Sequence, residues 1–318
     1  MRLAALTFIL LNLLFSACAE NNRPAITIAI NPWPGYEFLY LAEQKGFFEQ
    51  VGLNVELKQQ SSLADAQRAY INGQVDGLAS TLIEVVQAEQ FGGAPLLVAL
   101  VPDYSDGGDV IIANTSIDSV EALKGKTVGC EISSLGIYIS QRALHKHSLN
   151  LGDVNLVNTE QAEGEQALLS GTIDAFVSYP PVSISLVKHT QFHEIFTSAE
   201  IPNEIIDTVA LSKTVIADNP DLIPKLHQAW QMSLDYYRSF PKEAAQIMAE
   251  REGIRPEEFI EALSGLHILD INDQQEIFSK PKILQDKARS VCDTLVHVDA
   301  LSLDCSTLPN MVYQGPIQ

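Results

Sequence analysis

The segment that decides the fold is YINGQVDGLAS at residues 70–80, because its pattern recurs as LLSGTIDAFVS at residues 168–178. In each copy, the end of an apolar helix is followed by a glycine stop and then by a short strand that carries Asp and Ser. The two copies are offset by 98 residues (171 − 73), which aligns Gly73 with Gly171, Asp76 with Asp174 and Ser80 with Ser178. The chain therefore repeats a structural unit of about that length.

The sequence upstream of each copy predicts the same order of elements. An apolar strand is followed by a loop rich in Pro, Gly or Ser, then by a helix and a second strand. The expected pairs are strands 26–31 and 126–131, helices 37–45 and 137–147, and strands 53–57 and 154–157. Two β-α-β units in tandem predict an α/β protein of two similar lobes, each with a mainly parallel sheet flanked by helices. The cleft between two such lobes is the expected place for a small-molecule ligand.

The domain boundaries follow from these units. We expect residues 25–114 to form the first part of lobe one and residues 115–204 to form lobe two. Residues 205–318 are expected to return to lobe one with a strand at 208–211 and then to continue as C-terminal helices. The two crossings, near Asn114 and Ile205, would form a hinge.

The N-terminus has the pattern of an export signal. Arg2 precedes an apolar stretch at residues 3–14 that is too short to span a bilayer stably, and Phe15-Ser16-Ala17-Cys18 follows. This pattern resembles a bacterial lipobox. It predicts a signal peptide at 1–17, lipidation of Cys18 and a tether at 18–24. Ordinary cleavage nearby is the alternative. The protein is therefore expected to be exported to the periplasm and held at a membrane by a lipid anchor only.

The charge of the chain limits its partners. The formal net charge is −20, and removal of Arg2 with the leader would leave 19 basic and 40 acidic residues. Such a chain repels nucleic acid and anionic lipid, so no nucleic-acid partner is expected. An anionic ligand is still allowed, because local backbone donors can outweigh a distant field.

The cysteines fit an oxidising compartment. Cys292 and Cys305 are 13 residues apart in a polar C-terminal stretch that is not expected to pack tightly, and they predict a disulfide that fixes the tail. Cys130 lies in an apolar strand and is expected to be a buried, inert thiol.

Several longer motifs resemble a known family. They are NPWPGYEFLYLA at 31–42, DYSDGGD at 103–109, GTIDA at 171–175, YPP at 179–181 and IPNEIID at 201–207. The chain resembles the substrate-binding proteins of ABC importers for nitrate, sulfonates, taurine and thiamine-precursor pyrimidines. The YPP segment departs from the family pattern, in which relatives often carry a Trp and an acidic residue before Pro.

The resemblance implies the two-lobed periplasmic-binding-protein fold of type II and a monomer without a cofactor. It also implies a small-molecule ligand, a sulfonate-, taurine- or pyrimidine-like nutrient that is captured by lobe closure and delivered to an ABC permease in the inner membrane. The alternatives are an extracytoplasmic sensor that presents its ligand to a membrane receptor, or an enzyme of the same fold. Catalysis has little support, because the chain contains no Gly-x-Ser-x-Gly, His-Glu-x-x-His or Walker motif. The Cys-rich motif of the pyrimidine-synthesising relatives is also absent.

Candidate ligand contacts follow from the rule that ligands bind at the carboxyl ends of parallel strands. Trp33 and Tyr36 would form an aromatic wall in an exposed Pro-rich loop, the alternative being a rigid turn with a half-buried Trp. Three further groups qualify, of which the first two could also be simple helix caps: Ser80 with Thr81, Ser133 with Ser134 at a helix N-terminus that favours an oxyanion, and Tyr179 with its ring facing the cleft.

The resemblance implies that the loop at 103–109 closes the cleft and lies near the hinge. Its alternating oxygens, on Asp103, Ser105 and Asp109, also suggest calcium, but Asn114 stands where an EF-hand loop has its bidentate Glu, so no metal is expected. Glu131 and Asp207 add further acidic groups, whereas the four ligand loops contain no Lys or Arg. A cationic or neutral nitrogen-rich ligand therefore fits at least as well as a sulfonate or nitrate.

His189 and His193 have the spacing of a helical metal pair, but their segment is predicted to be a loop entering a strand.

Overall fold

The computed structural model describes residues 24–317. The predicted signal peptide, Cys18 and most of the expected tether lie outside these residues. The strands are β1 (Ile26–Ile30), β2 (Val55–Gln59), β3 (Gly77–Thr81), β4 (Leu96–Leu100), β5 (Asp103–Ser105), β6 (Val110–Asn114), β7 (Thr127–Cys130), β8 (Asn155–Asn158), β9 (Ala175–Ser178), β10 (Phe192–Thr197), β11 (Asp207–Ser212) and β12 (Leu266–Ile268).

The helices pack on these strands. They are α1 (Glu37–Gln44), α2 (Phe47–Gln50), α3 (Leu63–Ile71), α4 (Leu82–Ala88), α5 (Leu135–Lys146), α6 (Gln161–Leu169), α7 (Val182–Leu186), α8 (Lys213–Asp218), α9 (Leu222–Ser239), α10 (Pro241–Glu252), α11 (Pro256–Leu263), α12 (Ile271–Ser279) and α13 (Pro281–His297). Short 3-10 turns lie at Glu121–Leu123, Leu151–Asp153, Ser198–Glu200 and Cys305–Thr307. Among residues 24–317, no helix is both long enough and apolar enough to cross a membrane.

The first sheet has the strand order β2-β1-β3-β11-β4. β1 pairs in parallel with β2 and β3, and its residues are almost completely buried, as expected for a strand covered on both faces. The returning strand predicted at 208–211 is β11, which inserts antiparallel between β3 and β4. A chain segment from beyond the second unit therefore completes the first sheet.

The second sheet has the strand order β10-β6-β9-β7-β8. β7 pairs in parallel with β8 and β9, which repeats the pattern of the first sheet. β6 pairs with β9 and β10, so it belongs to the second sheet, and its expected place in lobe one was wrong. The apolar residues of β6 fit either sheet, and the long-range pairing decides between them. The chain thus crosses between the sheets within residues 103–109 and again near 198–206. The limits of the two lobes themselves stay a prediction.

The repeated aspartates have the same structural task in both units. Asp76 Oδ2 accepts hydrogen bonds from the backbone N–H and the hydroxyl of Thr27, each at 2.8 Å. Asp174 Oδ2 accepts a bond from the backbone N–H of Thr127, also at 2.8 Å. Each Asp therefore ties the start of its own strand to the first strand of its unit. This explains why the repeat carries Asp at this position.

The C-terminal stretch packs closely, contrary to the sequence-based expectation. Met311 and Tyr313 exchange backbone hydrogen bonds with Val98 at the edge of the first sheet. The structure joins Cys292 on α13 to Cys305 in a disulfide with a Cα–Cα distance of 5.8 Å. The polar residues of this stretch alternate with apolar ones that enter the core, namely Leu301, Leu308, Met311, Val312 and Ile317. Cys130 is a free, fully buried thiol, and burial raises its pKa to about 12.

Candidate ligand-binding site

A small cavity of about 10 Å³ lies where the two sheets face each other. It is lined by Asn31, Trp33, Tyr36, Leu63, Thr81, Asp109, Leu135 and Asp207. Asn31 follows β1 and Thr81 ends β3, so the carboxyl ends of parallel strands do meet here. Ligand sites for drug-sized molecules usually measure roughly 300–1,000 Å³. In this closed arrangement the cleft has room for about one water molecule, so a ligand can enter only when the lobes move apart.

Three aromatic rings form one wall of the cleft. Trp33 lies 6.4 Å from Tyr36 and 6.1 Å from Tyr179 between ring centroids, and Tyr179 meets it edge-on from the other lobe. The loop of Trp33 was expected to be exposed, but the indole is only 4% exposed because the second lobe covers it. The expectation of an exposed Trp33 is therefore wrong for this closed arrangement of the two lobes.

Two glycines allow the indole to take this position. A Cβ on Gly108 would lie 2.7 Å from the Trp33 ring, and a Cβ on Gly35 would lie 1.9 Å from the carboxylate of Asp103. Neither distance is compatible with a larger residue unless the site moves. The absence of a side chain at Gly108 and Gly35 therefore lets the backbone lie close to Trp33 and to Asp103.

Asp103 and Asp207 form a carboxyl pair at one end of the cleft. Tyr36 donates its hydroxyl to Asp207 in a short hydrogen bond, and Trp33 Nε1 donates to Asp103 Oδ2 at 3.4 Å. Burial, and then the charges of Asp103 and Asp109, raise the pKa of Asp207 well above its usual value. Burial raises the pKa of Asp103 to about 7. Among residues 24–317, Asp103 Oδ1 and Asp207 Oδ2 have no hydrogen-bond partner, so the pair leaves two buried oxygens unsatisfied.

Asp109 is the least satisfied group of the cleft. It is 1% exposed, and among residues 24–317 neither of its carboxylate oxygens has a hydrogen-bond partner. Burial, with a smaller contribution from the charge of Glu84, raises the pKa of Asp109 to about 7. A buried carboxylate without donors is costly. Asp109 is therefore placed to accept hydrogen bonds from a ligand.

Glu131 and Tyr179 extend the acidic surface across the second lobe. Tyr179 donates its hydroxyl to Glu131 Oε2 at 3.4 Å and accepts the backbone N–H of Leu63 at 3.1 Å, which joins the two lobes. In the described part of the chain, Glu131 Oε1 has no partner. Burial raises the pKa of Glu131 to about 7. Within residues 24–317, no ion pair joins Asp103, Asp109, Glu131 or Asp207 to a basic side chain.

Glu84 occupies the helix N-terminus that was expected to bind an oxyanion. Its Oε1 accepts the hydroxyl of Ser134 at 2.6 Å and the backbone N–H of Leu135, the first residue of α5, at 2.9 Å. Its Oε2 accepts the backbone N–H and the hydroxyl of Thr81 at 2.9 and 2.6 Å. One carboxylate of the first lobe therefore holds the first turns of two helices together across the cleft.

The other candidates divide into two groups. Five candidates line the cavity, namely Trp33, Tyr36, Thr81, Asp109 and Asp207. Asp103 and Tyr179 contact lining residues, whereas Glu131 bonds to Tyr179 and Ser134 bonds to Glu84. Three do not belong to the wall of the cavity: Ser80 bonds to the carbonyl of Thr81, Ser105 bonds to Ser198, and Ser133 is exposed. Their ligand roles stay predictions without geometric support in this closed state.

Sequence reasoning did not choose Asn31, Leu63 or Glu84 as ligand contacts, and it included Leu135 only as part of the loop at 133–136. Thr81 and Glu84 form a capping box, T-x-x-E, which is a signal that the sequence contains. The contact between Glu84 and Ser134 has no local signal, because it joins residues 50 positions apart.

The histidines of the second lobe lie apart from each other and from the cavity. His189 Nε2 lies 2.9 Å from Glu165, and His193 Nε2 lies 2.7 Å from the carbonyl of Ile117. Among the described residues, no group of three or more His, Cys, Asp or Glu side chains is arranged to hold a metal ion.

The chain is similar in sequence to a known protein family and to several named proteins. The sequence model of the family described as NMT1/THI5 like matches residues 33–244. A Brucella abortus protein provisionally named a binding protein is 22% identical over 258 residues, which cover 77% of this chain and 75% of that protein. A 4-amino-5-hydroxymethyl-2-methylpyrimidine phosphate synthase of Aspergillus parasiticus is 21% identical over 240 residues, 70% of this chain and 68% of the enzyme.

Solved structures share the fold at low identity. The alkanesulfonate-binding protein SsuA from Xanthomonas axonopodis pv. citri, bound to MOPS, has a TM-score of 0.72 at 15% identity and covers 91% of this chain and 96% of its own. The periplasmic nitrate-binding protein NrtA from Synechocystis PCC 6803 has a TM-score of 0.66 at 13% identity and covers 91% of each chain. The predicted fold class is therefore confirmed: this chain belongs to the NMT1/THI5-like family and has the two-lobed fold of periplasmic binding proteins.

Proposed function

We propose that this protein is the extracytoplasmic solute-binding component of an ABC importer and that its ligand is a small, planar, nitrogen-rich molecule. The family match and the fold support a binding protein of this kind. An aminopyrimidine is an example of the ligand class. It has a flat ring that suits the aromatic wall, and N–H groups that suit buried acceptors.

The observation that carries the ligand class is the acidic lining of the cleft. Within the described chain, Asp109 has two unpartnered oxygens, and Glu131, Asp103 and Asp207 have one each. A ligand that brings N–H donors satisfies these oxygens. A protonated amino or amidine group also compensates the charge that burial makes costly.

The same lining disfavours a sulfonate or nitrate. Such an anion needs donors, but the residues that line the cavity include no Lys or Arg among those described. One of the helix N-termini at the cavity, at Leu135, already holds the carboxylate of Glu84. Taurine brings an ammonium group but also a sulfonate, so it matches only half of the site. A pyrimidine-like ligand therefore fits best of the three classes that the sequence suggested.

Binding without turnover is part of the proposal. One relative is named as a pyrimidine phosphate synthase, but the Cys-rich motif expected of such enzymes is absent from this sequence. Within residues 24–317, the cavity lining contains no His or Cys that could serve as a base or nucleophile. We therefore assign the cleft to capture and release by lobe motion.

The proposed location and partners follow from this function. An exported protein, lipid-anchored through Cys18 and monomeric, would deliver its ligand to a permease of the inner membrane. The closed form would be the one that the permease recognises.

Calorimetry with four probes tests the ligand class. The probes are 4-amino-5-hydroxymethyl-2-methylpyrimidine, taurine, methanesulfonate and nitrate. We expect saturable binding of the aminopyrimidine and no measurable binding of the two simple anions. Tight binding of methanesulfonate or nitrate together with no binding of the aminopyrimidine would overturn the proposed ligand class.

A second measurement tests the transport role. Ligand-loaded protein should retain an ABC permease from detergent-solubilised membranes of the source cell. Retention of a membrane receptor without a permease would favour the sensor alternative.

A further inference from the structure

Glu84 makes a connection between the lobes that the capture of a ligand does not require. It is fully buried on α4 of the first lobe, and its carboxylate accepts four hydrogen bonds. Two of these come from Ser134 and Leu135, at the start of α5 in the second lobe. No lysine or arginine pairs with it in the described chain.

The position of this carboxylate is where an anion would be expected to bind. α5 is 12 residues long, so its first N–H groups and its dipole attract negative charge. Leu135, whose N–H points at Glu84, also lines the ligand cavity. An anion that entered the cavity could bind the N-terminus of α5 only by displacing the Glu84 carboxylate. This carboxylate accepts hydrogen bonds from both lobes.

We propose that Glu84 is a specificity-determining residue that occupies the anion-binding position of the cleft and so excludes anionic ligands. The Glu84 carboxylate takes the place of an external anion at the N-terminus of α5. It also joins the two lobes in the closed arrangement. This inference rests on the proposed function, since it concerns which solutes the same cleft accepts.

Two substitutions of Glu84 separate the loss of its charge from the loss of its volume. Glu84→Ala removes the carboxylate and leaves space beside Ser134 and Leu135. Glu84→Gln removes the charge but keeps the volume and one acceptor oxygen. If the position binds anions, a small external anion should enter the alanine variant and should be blocked in the glutamine variant.

Chemical rescue with formate, acetate and nitrate tests this. Thermal melts and calorimetry are recorded at pH 6 on the wild type, Glu84→Ala and Glu84→Gln. Glu89→Gln is the matched control, because Glu89 is exposed and directly follows α4. We expect the alanine variant to melt below the wild type and to be restabilised saturably by at least one anion. We expect the other three proteins to show no such saturable effect.

Small-angle scattering measures separately whether Glu84 holds the two lobes together. Ligand-free Glu84→Ala should have a larger radius of gyration than the wild type, and the rescuing anion should reduce it. A folded alanine variant that binds none of the three anions would overturn the inference, as would equal rescue of the glutamine variant. Failure of the proposed ligand class is a different result, because it is read from aminopyrimidine binding to the wild type.

Discussion

The replacement Asp109→Asn tests the acidic cleft most directly. Asp109 is buried, and neither of its oxygens has a partner within residues 24–317. Burial raises its pKa from 3.8 to about 7. In the closed, ligand-free protein the carboxyl group therefore holds its proton more tightly than it does in the unfolded chain.

The sign of the pH effect follows from this shift. Between about pH 4 and pH 7, the native state binds more protons at this site than the unfolded state does, so the free energy of unfolding falls as the pH rises. The contribution is complete below pH 4 and lost above pH 7. A rise from 3.8 to about 7 corresponds to a ceiling of about 4 kcal/mol, at 1.36 kcal/mol for each pH unit. Opening of the lobes rehydrates the group, so we expect about 1–3 kcal/mol to be observed.

Thermal melts of the ligand-free protein at pH 5 and pH 8 measure this contribution. Asp109→Asn should raise the melting temperature by several degrees at pH 8, at roughly 2–4 °C for each kcal/mol. It should change the melting temperature little at pH 5, where the wild-type carboxyl group is already protonated. Asp106→Asn is the control, because Asp106 is an exposed residue of the same loop.

The ligand affinity should change in the opposite direction. Loss of a charged acceptor should weaken the binding of an N–H donor ligand by about 1.5–3 kcal/mol, or roughly 10- to 150-fold. Calorimetry at pH 8 gives this value. A variant that is less stable than wild type at pH 8 and that binds the ligand equally well would refute the view that Asp109 is an unpartnered acceptor for the ligand.

Four further predictions concern other parts of the chain. Trp33→Ala should weaken ligand binding by about 1–3 kcal/mol, and because the indole is buried it should also lower the ligand-free melting temperature; calorimetry and melts separate these effects. Gly108→Ala should displace the indole and weaken binding, which fluorescence of the ring and calorimetry can follow; unchanged spectra and affinity would contradict the close contact. Peptide mapping without reductant should recover Cys292 linked to Cys305, whose removal should cost roughly 3 kcal/mol in the chain-entropy estimate, and two free thiols would exclude the bond. Cys18→Ser should release the protein from the membrane fraction, whereas soluble, unmodified wild-type protein would end the lipoprotein hypothesis.

The sequence by itself determined the two-unit architecture. The apolar strands, the glycine stops and the repeated Asp are local features, and each acts through its near neighbours or through its own sheet. Asp76 and Asp174 illustrate this, because both anchor the first strand of their unit through the same kind of hydrogen bond. The aromatic residue Trp33 and the acidic residue Asp109 could also be chosen from strand ends and from composition.

Only the tertiary structure decided which of these groups share a cavity and what their environment is. β6 is apolar enough for either sheet, and its pairing with β9 and β10 is a long-range choice. The burial of Trp33 and the raised pKa of Asp109 depend on the second lobe closing over the first, which no local pattern encodes. In the sequence, Glu84 can be recognised only as the partner of Thr81 in a capping box. Its contact with Ser134 depends on the fold. Desolvation and contacts between lobes are properties of the packed molecule, because they depend on atoms that lie far apart in the chain.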